Sequence, residues 1–111
     1  MKIDIEKVLD FLRDSSAKYA KAKAERIYLE EFKHSLLAKL MQTAQLNGVS
    51  SAAGQDRDAR ASEEYRIHLE GLRDAVEQEE TLRWQLIAAQ AKCDVWRSIQ
   101  ASSRAEGKNI L

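Results

Sequence analysis

Glu31 and His34 stand three residues apart in the run Glu31-Phe32-Lys33-His34. On a helix that spacing puts both side chains on one face, and two Glu-x-x-His units with two further inward glutamates hold a di-iron centre in a bundle. The only comparable pair is Glu64 with His68, at a spacing of four. Chance pairs on a charged helix surface are far commoner than such a centre, so no metal ligand is assigned. Cys93 is the single thiol and has no histidine near it in sequence to act as a base, which makes a buried structural cysteine the expected role. Glycines occur only at 48, 54, 71 and 107, so no glycine-rich phosphate loop is present, and no Ser-His-Asp pattern stands out. The residues therefore point away from an enzyme and imply no catalytic residue and no cofactor. A metal-dependent bundle enzyme is the third function class, distinguished by a stoichiometric bound metal.

Binding chemistry has more to work with. Lys18, Lys21, Lys23 and Arg26 form the richest basic stretch, and Arg83 and Arg97 flank the two tryptophans, Trp84 and Trp96. Cations that neutralise phosphates, beside aromatics on which bases stack, make a single-strand binding surface. Yet the four N-terminal cations wrap around a helix and do not line one side of it. Charges on a long helix ordinarily serve solubility and pairing at i,i+4. The cluster Glu77-Gln78-Glu79-Glu80 can pair with the Lys18 to Arg26 stretch inside the fold or attract a basic partner outside it.

These groups must be carried by helices. The 111 residues include no proline and are 32% charged, a composition that favours helix over strand. Eighteen basic and eighteen acidic residues cancel, so net charge names no partner. The spacing predicts a helix over 4–46, capped by Asp4 and stopped by Asn47-Gly48. A connector follows over 47–61, with a short helical turn near Gln55 to Ala61. A second helix, capped by Ser62, runs over 62–104, and Gly107 leads into a tail over 105–111. No apolar run approaches the ~18 residues that span a bilayer, and the acid-studded N-terminus is unlike a signal peptide. The expectation is a cytoplasmic protein with no membrane contact.

Two helices of ~40 residues each are about 60 Å long and most simply fold back on one another. Pairing Leu46 with Ser62 sets Glu80 opposite Tyr28, and His68 opposite Lys39 to Thr43. In the first helix Ile5, Val8, Leu12, Tyr19, Leu37, Met41 and Ala44 share one side, with Leu29, Phe32, Leu36 and Leu40 offset. In the second, Tyr65, Leu69, Leu72 and Val76 alternate at four and three, as do Leu82, Leu86, Ala89, Cys93 and Trp96. The two runs fall out of step at Glu79, which predicts a stammer. Ser15, Ser16, Lys23 and Arg26 interrupt one stripe, and Glu79, Glu80 and Arg83 the other. These segments lie close by the pairing, either as an ionic layer that fixes register or as a solvated gap.

The runs IEKVLDFLRDSSAKYAKAKAERIYLEEFKHSLLAKLM and EYRIHLEGLRDAVEQEETLRWQLIAAQAKCDVWRS resemble small helical proteins of tailed bacteriophages and prophages. That resemblance implies an accessory role near phage recombination or replication, in a host cytoplasm. The sequence reading is thus an all-α, long antiparallel two-helix hairpin that assembles into a helical-bundle oligomer, a homodimer or larger. Its function is to self-associate through Phe11, Leu12, Leu29, Phe32, Leu36, Trp84, Leu86 and Trp96, and to bind a macromolecular partner, most simply a protein. The alternative is a single-stranded DNA-binding accessory that uses Lys18, Lys21, Lys23, Arg26, Arg83 and Arg97.

Overall fold

The computed structural model describes residues 2–110, and the side chains of residues 2–108. Every described element is helical: α1 is Ile5–Leu46, α2 is Ala52–Arg60 and α3 is Glu63–Ile110. Asp4 opens α1 by accepting the Lys7 backbone N–H at 3.3 Å. The helix closes with a Schellman motif, in which Val49 N–H donates to the Ala44 carbonyl and Gly48 N–H to that of Gln45. Gly48 sits at φ +100°, the single positive φ among the described residues. Replacing Gly48 with alanine should cost about 1–2 kcal/mol, the strain of an L-residue at left-handed φ. Urea melts read by circular dichroism check this.

The connector is shorter than the sequence suggests, because α2 occupies nine residues of it. Ser51 caps α2 by accepting the Gly54 N–H at 3.0 Å. Gly54 is buried, and a Cβ there would come within 2.9 Å of both the Ser51 Oγ and the Val49 Cγ1. Ser62 then works in both directions, donating to the Ala59 carbonyl and accepting the Tyr65 N–H. At the far end α3 continues through Gly107 to Ile110, where a tail was expected. A glycine inside a helix costs only ~1 kcal/mol, and Gly107 carries no positive φ that would turn the chain.

The helices form two compact units, one from residues up to Ala20 with those from Glu80 onward, the other Lys21–Glu79. In the Lys21–Glu79 unit α1 and α3 run antiparallel. Leu40, Thr43 and Ala44 line one shallow depression with Ala59, Ser62 and Glu64, while Leu29 meets His68 and Arg26 meets Glu79. His68 was expected opposite Lys39 to Thr43 and lies about three turns nearer the start of α1. Arg26 and Glu79, by contrast, meet within about one turn of the expected pairing of Tyr28 with Glu80. In the other unit Val8 and Phe11 border Gln85, Ala88, Ala89 and Lys92 across one depression.

Burial shows a seam of unbroken heptad spacing. On α1 it runs Val8, Leu12, Ser15, Tyr19, Ala22, Arg26, Leu29, Lys33, Leu36, Leu40, every one buried or half-buried. On α3 it runs Tyr65, His68, Leu72, Ala75, Glu79, Leu82, Leu86, Ala89, Cys93, Trp96, again all buried or half-buried. Alternation of three and four is the pattern that keeps one helix face on a neighbour. The expected stammer at Glu79 is therefore absent. Leu69 and Val76, read as seam residues, are 40% and 38% exposed. His68 and Ala75, each one residue earlier, hold the seam instead.

Candidate interaction surfaces

The most specific polar arrangement is on the seam itself. Arg26 grips Glu79 with two hydrogen bonds, Nε to Oε2 at 2.6 Å and NH2 to Oε1 at 3.0 Å. Its third nitrogen reaches Glu30 at 2.9 Å. Glu79 is only 6% exposed, so its carboxylate depends on the planar fork of the guanidinium. Hydrogen bonds donated to Glu79 first and Glu30 second push the Arg26 pKa far above its ordinary value. Glu79 and Arg26 are seam positions on their helices, so this is an ionic layer and not a solvated gap. Arg26 is thereby occupied within the fold. The nucleic-acid set keeps Lys18, Lys21 and Lys23, which are exposed.

A second polar seam residue is His68. Its Nε2 lies 2.8 Å from the Leu29 carbonyl, and a carbonyl only accepts, so Nε2 carries the proton. The ring also stands 5.7 Å from that of Phe32, which stacks on Tyr28 at 6.0 Å. His68 is thus engaged with α1, while His34 and Glu31 are exposed on another face. Among the described residues no three of His, Cys, Asp or Glu gather closely enough to hold a metal ion. Cys93 is buried as a free thiol on the seam. At the start of α3, Arg66 holds Glu63, and that hydrogen bond draws the Glu63 carboxyl below its ordinary pKa.

The eight residues expected at an oligomer interface divide into two groups. Phe11, Leu12, Leu29, Leu36, Leu86 and Trp96 are half-buried, and all but Phe11 lie on the seam. Phe32 and Trp84 are exposed, Trp84 by 59%. Arg83 lies over the Trp84 ring at 4.9 Å and reaches Glu80 at 3.2 Å, and Arg97 reaches Asp94 at 3.4 Å. The exposed apolar set also holds residues that the sequence reading passed over: Leu9, Ile27, Ile67, Ile87, Val95 and Ile99. A signal for the last three was present. Between Trp84 and Ser103 the only charges are Lys92, Asp94 and Arg97, and a helix that is apolar all round is one that is covered on more than one side.

Compared with known proteins, the chain matches no family model, no curated protein and no solved structure. No helix among the described residues is long and apolar enough to cross a membrane.

Proposed function

We propose that this chain is a non-enzymatic helical-hairpin protein that self-associates and, once assembled, binds a macromolecular partner, most simply another protein. One observation carries the reading: the interior is too small for the apolar side chains present. The buried hydrophobic residues are Ala22, Ala44, Ala59, Tyr65, Ala89 and Cys93, and no large side chain among the described residues is fully buried. The chain exposes 8395 Å². A compact monomer of 12.6 kDa exposes about 6,200 Å². The difference, roughly 2,200 Å², exceeds the ~800 Å² that each partner gives up in an ordinary dimer. A second copy is the economical cover, since a two-fold contact buries the same face on both chains.

Trp84 reports on this directly. With Trp96→Phe leaving it as the single indole, its emission should be blue-shifted at micromolar concentration and move red on dilution toward nanomolar. An emission maximum typical of exposed indole at every concentration would contradict the reading.

A second reading, single-stranded DNA binding, keeps the exposed Lys18, Lys21 and Lys23 in its favour. It requires an affinity that falls steeply with salt, because phosphate contacts release counterions. Anisotropy of a labelled oligonucleotide that stays flat at low salt removes it.

A further inference from the structure

The seam accounts for one side of α3, and the opposite side of its C-terminal half is also apolar. Trp84, Ile87, Ala91, Val95, Ser98 and Ser102 recur at intervals of three and four and are all exposed. A row of small residues alone selects no partner, but the charges on its flank do. Glu80 pairs with Arg83, and Asp94 pairs with Arg97, both at i,i+3 with the acid first. Arg83 and Asp94 are about three helical turns apart, so both stand on the same side of the stripe.

We propose that this outer face of α3 is the self-association surface, and that a second copy of the chain docks on it antiparallel about a two-fold axis. The proposal rests on the self-association reading and adds the face, the direction and the register. In an isologous antiparallel contact each flank meets the same flank of the other copy, reversed in direction. A single register, with the axis passing between Ala88 and Ala89, then sets Arg83 against the second copy's Asp94. Symmetry repeats the pair, so two acid–base contacts border the stripe. A parallel two-fold would instead set this flank against the opposite flank of the second copy and would not bring Arg83 and Asp94 together. Near the axis the small Ala88 and Ala91 let the helices approach closely. Trp84 of each copy then covers the interval between Ala91 and Val95 of the other. The aromatic anchors thus lie beside small side chains, with the charges at the rim.

The test is a charge exchange read by sedimentation equilibrium of the full chain, with circular dichroism confirming that each variant keeps its helix. Arg83→Glu alone and Asp94→Arg alone should each weaken association about tenfold, because each sets like charges together twice per dimer. Combining the two restores opposite charges and should return association to near the wild-type level. Losses that simply accumulate in the double variant would overturn the proposed register. Single variants that associate like wild type would overturn the face, with self-association itself intact. A wild-type chain that stays monomeric would remove the proposal together with the reading beneath it.

Discussion

Replacing Arg26 with alanine should lower the melting temperature by on the order of 10–15 °C. Glu79 would keep its carboxylate on the seam, 6% exposed, without the two hydrogen bonds that now compensate its burial. Leaving one member of a buried ion pair alone is far more damaging than losing the pair. The double replacement Arg26→Leu with Glu79→Leu should therefore regain most of the loss, since two leucines fit a heptad seam and bring no charge to desolvate. The double variant should also show what the ionic layer is for. Opposite polarity at facing seam positions penalises any sliding of the helices by one heptad, and two leucines remove that penalty. We expect the double variant to melt less cooperatively or to populate more than one oligomer. A double variant as unstable as Arg26→Ala would mean that the site demands charge, contrary to this account. Thermal melts of the three chains decide between these outcomes.

The second large effect concerns assembly. Trp84→Ala should raise the dimer dissociation constant about 30-fold or more, because a large aromatic at the centre of an interface ordinarily contributes the most binding energy. The fold itself should be little affected, since Trp84 is 59% exposed and lies off the seam. Trp96→Ala should behave in the opposite way. Trp96 is half-buried on the seam of α3, so its loss should first lower the melting temperature and change association only through that. The contrast separates two tryptophans that the sequence alone assigns to one interface. Sedimentation and melting, measured on both variants, check it.

That confusion shows where the sequence was legible and where it was not. The helices, the Asp4 and Ser62 caps and the stop at Asn47-Gly48 follow from local chemistry, and local chemistry is written in order along the chain. The seam was harder to read because polar residues hold part of it. His68 and Glu79 look like interruptions until their partners, the Leu29 carbonyl and Arg26, are known. Leu69 and Val76 offered apolar substitutes one residue later, and choosing them created a stammer that the helix does not have. The ionic layer was nonetheless foreseeable, since Arg26 and Glu79 broke their stripes at facing positions. The place of His68 was less so, because its partner is a backbone carbonyl, which no residue type announces. The outer apolar face of α3 was visible as scarce charge from Trp84 to Ser103, a signal hidden by the high charge of the rest of the chain.

This chain should not stand alone in solution. Light scattering after size exclusion measures the mass without reference to shape, on the intact chain at micromolar concentration and at both low and high salt. The expected mass is about twice 12.6 kDa or more and persists at high salt, because apolar burial carries the contact and charge only orients it. A mass of 12.6 kDa under both conditions would contradict it.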